Sequence, residues 1–247
     1  FGTHDDPTGA PTWGPTHGEQ MLVISTGFVA TPDAAGVVTM DGLDQDANDN
    51  PDEKPLPAPI SPVPGSGGTP FMGCDGVGDC SDSLWDQWLS GGSQANDLLW
   101  FQLRTEVPGG THGFTLDFAW FSEEFPESVG TTFNDMLVVW SQSETYVGNL
   151  CFVNEEPCTV TGLWPVPYQG IDAELEGTGF TPTPTGDGGA TGWSTIKGSA
   201  APHEVLELTV ALFDMGDEEL DTLVLLDQFG WDCQGCTPTP ENPCGVR

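Results

Sequence analysis

Basic residues are nearly absent from this chain. Its 247 residues carry 4 Lys plus Arg against 38 Asp plus Glu, a formal net charge of -34. So few cations cannot neutralise a run of phosphates, which argues against nucleic acid and anionic membrane surfaces as partners. Long apolar runs are missing as well, none approaching the roughly 18 residues that would cross a bilayer. Helical apolar periodicity of useful length is also lacking. There is no Gly-x-Ser-x-Gly and no phosphate-cradling Gly loop followed by Lys, and "HEVLE" at 203 to 207 lacks the second His of a zinc-protease helix. His4, His17, His112 and His203 stand near no nucleophile motif and read as loop or strand-edge residues.

What is present excludes disorder. Hydrophobic residues make up 37% of the chain, with 9 Trp and 13 Phe, which is ample material for a core. A compact state must then tolerate strong self-repulsion. Bound cations, a high-salt habitat or a broadly solvated acidic surface would each allow it. The length suits one domain of the size usual for an all-β sandwich. The chain begins at Phe1 without Met, as expected of a mature product whose export signal has been removed.

Cysteine spacing agrees with export. Cys74 and Cys80 bracket "CDGVGDC", and Cys151 and Cys158 bracket "CFVNEEPC", two short loops that disulfides would close in an oxidising compartment. Cys233, Cys236 and Cys244 bring the count to 7, an odd number that leaves one thiol free or paired between chains. A zinc reading of Cys233 and Cys236 lacks a convincing second pair. A disulfide involving Cys244 is the simpler expectation.

Residues 1–19 are rich in Gly, Pro and Thr without periodicity and read as an extended arm. "QMLVISTGFVA" at 20 to 30 reads as a strand and its exit, and "SLWDQWL" at 83 to 89 as a short helix. The acidic and Pro-rich stretch over about 40–70 is an insertion, because Pro is excluded from central strands. Strands are expected at 97 to 104, 112 to 121, 136 to 141, 149 to 153, 204 to 213 and 222 to 231. Phe114, Leu116, Phe118 and Trp120 alternate onto one face, as do Leu206, Leu208, Val210 and Leu212. Such strands joined by Gly and Pro predict an all-β fold, an antiparallel β-sandwich, jelly-roll-like or related, over 20–232, followed by a Cys-containing tail at 233–247.

Three acidic constellations lie between the strands. "MDGLDQDANDNPDEKP" at 40 to 55 sets oxygen ligands at alternate positions, as flexible calcium loops do, without the Gly and terminal Glu of an EF-hand. "FSEEFPESVGTTFND" gathers Glu123, Glu124, Glu127, Asn134 and Asp135, and "FDMGDEELDTLVLLD" gathers Asp214, Asp217, Asp221 and Asp227. The candidate calcium ligands are Asp41, Asp44, Asp46, Asn48 and Asp52 in the first segment, with Glu124, Asn134, Asp135, Asp217 and Asp221 in the other two.

"FAWFSEEFPESVGTTFNDMLVVW" and the segment from "GWSTIKGSAAPHEVLELTVALF" through "DMGDEELDTLVLLDQFGWDC" resemble the bacterial choice-of-anchor L domain family, and "MLVISTG" at 21 to 27 resembles its opening strand. The likeness covers roughly residues 20–232, leaving the acidic and Pro-rich middle poorly matched. It implies an exported, non-catalytic surface or extracellular module. The tail after Trp231 departs from the family's attachment signals, having no apolar helix with a basic cluster.

The resulting expectation is a secreted, calcium-binding structural or adhesive subunit, not an enzyme, that associates with itself or with other surface components. A calcium-dependent carbohydrate-binding module is the main alternative, since Trp13, Trp85, Trp88, Trp164 and Trp193 lie outside the clearest strands. A glycoside hydrolase is the other. It needs two carboxyls about 5 to 9 Å apart, and neighbouring strand residues such as Glu123 and Glu124 point to opposite faces.

Overall fold

The computed structural model describes residues 1–34, 50–52, 55–63, 84–153, 156–164, 166, 172–180, 188–234 and 245–246. Strands dominate them: β1 (Leu22–Ser25), β2 (Asn96–Glu106), β3 (Gly113–Ser122), β4 (Met136–Gln142), β5 (Val147–Asn149), β6 (Phe152–Val153), β7 (Glu156–Thr159), β8 (Gly189–Ser199), β9 (Val205–Asp214), β10 (Thr222–Asp232) and β11 (Gly245–Val246). Two short helices, α1 (Trp85–Ser90) and α2 (Val160–Leu163), and a 3₁₀ turn at Asp172–Leu175 complete the order. The expected sandwich is present. One sheet runs β1-β10-β3-β8-β11 and the other β2-β9-β4-β7-β6, with β5 also paired to β4. All pairings are antiparallel.

Alternation along the strands builds three apolar layers. Phe114, Leu116, Phe118 and Trp120 of β3 meet Leu206, Leu208, Val210 and Leu212 of β9 between the sheets, as their spacing predicts. The opposite parity of β9 and β4 (Ala211, Phe213, Met136, Val138, Trp140) is buried on the far side beneath Trp88 of α1, Leu56 and Ile60. Ala119 and Phe121 of β3 and Leu223 and Leu225 of β10 form a third layer with Phe180, Phe1 and Trp13. Each large side chain so buried contributes roughly 1.5–3 kcal/mol.

The third layer changes the reading of the N-terminal arm. Residues 1–19 have almost no regular structure, as expected, yet they do not extend away from the domain. Phe1 and Trp13 are 5% and 2% exposed, and both pack edge-on against Phe121. The α-ammonium of Phe1 donates to the Trp13 carbonyl at 3.1 Å, and Trp13 Nε1 donates to the Glu174 carbonyl at 2.7 Å. The arm is a strap across its own sheet. It also relieves a strain within that sheet, because Asp117 and Asp227 face each other across β3 and β10. Like charges so placed repel, and Thr16 Oγ donates to both carboxylates, at 3.2 and 3.0 Å.

Other boundaries differ in detail. β1 stops at Ser25, and the run expected at 149 to 153 divides between β5 and β6. Cys151 and Cys158 form the expected disulfide, with Cα atoms 5.3 Å apart, and tie β6 to β7 inside the core. Cys233 is exposed with a free thiol. Cys74, Cys80, Cys236 and Cys244 lie outside the described residues. Beyond the tail's first residues, Gly245–Val246 returns to pair with Lys197 and Ile196 of β8.

Candidate metal centre

At one end of the sandwich the two sheets present carboxylates to each other. In one sheet, the register sets Asp214, the last residue of β9, opposite Asn96 of β2. On the other flank Met136 of β4 faces Phe213, so Asp135 falls beside Asp214 one step further along. Asp135 and Asp214 share the parity of Leu137 and Leu212 and therefore point between the sheets. Asp97 follows Asn96 at a bulge in β2, with a left-handed φ of 47°. Bulges re-aim side chains in this way. The facing sheet contributes Thr26 after β1, Asp221 and Thr222 at the start of β10, and Glu123 and Glu124 after β3.

Asp97, Glu123, Glu124, Asp135, Asp214 and Asp221 are all buried, none more than 6% exposed. Several have donors nearby. Asn50 N–H donates to Asp97 Oδ1 at 2.7 Å, and Asp135 N–H donates to Glu124 Oε2 at 2.9 Å. Asp221 lies over Gly27, where a Cβ would collide with its carboxylate. Asp135 differs: neither of its oxygens has a hydrogen bond of acceptable geometry, and Asp214 Oδ1 has none either. The Thr222 and Thr26 hydroxyls come close enough to Asp135 and Asp214 respectively to favour ionisation.

Burial and mutual repulsion outweigh that help. Burial raises Glu124 to about 8, against the pull of the Asp135 N–H, and Asp217 adds to the rise. Asp135 is held well above the carboxylate range by burial, then by Asp214 and Glu124. Asp214 is held there by burial, and its repelling neighbours are Asp97 and Asp221. Asp217, only partly buried, is raised by burial and by Glu219 and Glu218. A polar cleft of about 460 Å³, lined by residues including Asn96, Asp217, Glu218 and Glu219, opens beside the cluster.

The expected ligands distribute unevenly. Glu124, Asp135 and Asp221 come together, and Asp217 stands at the rim. Asn134 is turned aside, its Oδ1 accepting from Thr161 N–H at 3.0 Å and its Nδ2 donating to Gln87 at 2.7 Å. Asp52 is exposed, and Asp41, Asp44, Asp46 and Asn48 lie outside the described residues. Asp227 belongs to the strap contact instead. Sequence reasoning left Asp97 and Asp214 out of the ligand set. One signal pointed to Asp97: Asn96-Asp97 opens β2 as Asn134-Asp135 opens β4. Among the described residues, no group of three or more His, Cys, Asp or Glu side chains stands close enough together to hold a metal ion.

Fold and site together define an all-β sandwich with a buried carboxylate cluster closing one end. Comparison with family models, with curated proteins and with solved structures gave no match.

Proposed function

We propose that this chain is an exported structural or adhesive module whose sandwich is held closed at its acidic end by calcium. Asp135 carries the proposal: a wholly buried carboxylate set against a second buried carboxylate, Asp214, with only the Thr222 hydroxyl nearby to favour its charge. An uncompensated buried charge costs several kcal/mol and is retained where a proton or a cation neutralises it. No Lys or Arg is at hand among the described residues. Arg104 faces Glu207, seven residues along its ladder from Asp214, and Lys197 faces Thr115, eight residues from Glu123, roughly 24–27 Å at 3.4 Å per residue.

The donor set selects the ion class. Carboxylates, hydroxyls and carbonyls are hard oxygen ligands, suited to calcium or magnesium rather than zinc. Calcium accepts six to eight oxygens in irregular arrangements, whereas magnesium demands a near-ideal octahedron. Side chains that arrive singly from several strand ends suit the more permissive ion. The Cys151–Cys158 disulfide is compatible with an extracellular site of action, and the resemblance to anchored surface modules supports the same setting.

Thermal unfolding of the purified chain, with bound metal counted, tests the reading. Calcium at about 100 times its dissociation constant should add roughly 2.7 kcal/mol per site over the chelated protein. Equal midpoints in calcium and chelator, with no metal retained, would remove calcium from the account.

A further inference from the structure

Independently of any metal, we propose that β2 is a self-association edge: two copies of this chain pair their β2 strands antiparallel about a two-fold axis through Gln102. An edge strand leaves a row of N–H and C=O groups unpaired, and proteins guard against stray pairing by keeping such strands very short. The other edges of the two sheets follow that rule, β1 having 4 residues and β6 and β11 having 2 each. β2 has 11. It pairs with β9 on one side. On the other, Leu98 N–H donates to the Pro51 carbonyl at 3.3 Å, and from Leu99 to Glu106 no described residue bonds to the outer backbone edge. Trp100 and Leu103, on opposite faces of this free stretch, are 46% and 40% exposed.

The flank beside this edge is apolar. Phe101 and Leu103 face the space between the sheets, where a groove of about 370 Å³ opens between them and Leu22 of β1, over a floor that includes Leu116 and Leu208. Charge selects a second copy as the occupant. From Leu98 to Thr105 the strand has no carboxylate, in a chain with 38, and Arg104 is one of only 4 basic residues. Among the described residues Arg104 makes no salt bridge, and Glu207 across the ladder accepts from Gln102 at 3.1 Å instead. Antiparallel pairing about a two-fold axis keeps the inner faces of both copies on one side, so each residue opposes one of its own parity and the axis passes through a residue. At Gln102, the axis sets Trp100 opposite Arg104 of the second copy, a cation–π pair made twice. It also sets Phe101 opposite Leu103 across the mouth of the groove. An axis through Leu103 would instead set Trp100 against Glu106, one through Arg104 would oppose like charges, and one through Phe101 would carry the pairing onto Leu98, whose N–H is taken.

Sedimentation of the full chain in chelator, at about 0.15 M and about 1 M sodium chloride, measures this pairing without metal. A dimer is expected, about tenfold tighter or more in the higher salt, because repulsion between two chains of net charge -34 is then screened over about 3 Å. The register is read by oxidising Gln102→Cys in a Cys233→Ser background, which removes the exposed free thiol. Residues opposed across an antiparallel pair have Cα atoms about 4.5 or 5.5 Å apart, within the roughly 4.4–6.8 Å of a disulfide. That variant should give a covalent dimer that the Cys233→Ser parent does not. Glu106→Cys in the same background should stay uncrosslinked, since its two copies would lie about eight residues apart, roughly 27 Å. Arg104→Glu should weaken association about tenfold or more while leaving the thermal midpoint of the monomer unchanged. A chain that stays monomeric in both salts overturns the proposal. So does a dimer that crosslinks through Glu106→Cys as readily as through Gln102→Cys, or one that R104E leaves intact.

Discussion

At the residue scale, Asp135 separates a metal ligand from a packing element by the sign of one substitution. Asp135→Asn keeps the shape and removes a buried charge that Asp214 and Glu124 oppose. In chelator near pH 8 the variant should therefore unfold at a higher temperature than the parent, by about 1–3 kcal/mol of stability. In saturating calcium the order should reverse, because a ligand is lost. A destabilisation of equal size in both conditions would mean that Asp135 only packs. Gly27 offers an independent check. A methyl group there displaces the Asp221 carboxylate, so Gly27→Ala should weaken calcium about tenfold, or 1.4 kcal/mol, measured by titration. Part of this site was legible in the sequence: Glu124, Asp135 and Asp221 stand in acidic turns that the eye finds. Asp97 was not, because it sits singly in an apolar strand and acquires carboxylate neighbours only through strand register; Asp214 stands in the third acidic segment, but only register sets it beside Asp135. Asn134 shows the converse, an apparent ligand that spends its amide on Thr161 and Gln87.

At the scale of elements, legibility follows burial pattern. β3 and β9 alternate strictly because one face of each meets the inter-sheet core, and their positions were readable. β8 was not readable from alternation, since "GATGWSTIKGS" has few apolar residues. It is a strand because β3 pairs along it, and Gly198 is required where Phe114 and Leu150 fill the space a Cβ would take. The strap escaped for a similar reason: two aromatic anchors twelve positions apart make no periodicity, yet both are buried against Phe121. Trp13→Ala should cost about 3–5 kcal/mol by truncation of a buried aromatic and should expose residues 1–19 to protease at temperatures where the sandwich stays folded. Unchanged denaturant midpoint and cleavage would mean that the strap lies on the sheet without stabilising it.

For the whole molecule, a net charge of -34 and a buried acidic cluster both make stability depend on pH, and salt tells them apart. Surface repulsion is screened over about 3 Å at 1 M ionic strength, while buried groups are screened far less. In 1 M sodium chloride with chelator, the remaining trend should belong to the cluster. Glu124 is raised by burial from 4.5 to about 8, and Asp135 and Asp214 are raised in the same direction. A carboxyl whose folded pKa is raised binds more protons folded than unfolded, so stability falls with rising pH. Glu124's contribution is therefore fully present below about 4.5 and lost as pH rises through about 8. Calcium should reverse the slope, because its ligands must release protons to bind. The folded midpoint in excess calcium should then climb with pH over that window, while the chelated protein's declines, and the two curves should diverge most near pH 8. Parallel curves would mean that the ion, if bound at all, sits on the acidic surface and not among these carboxylates.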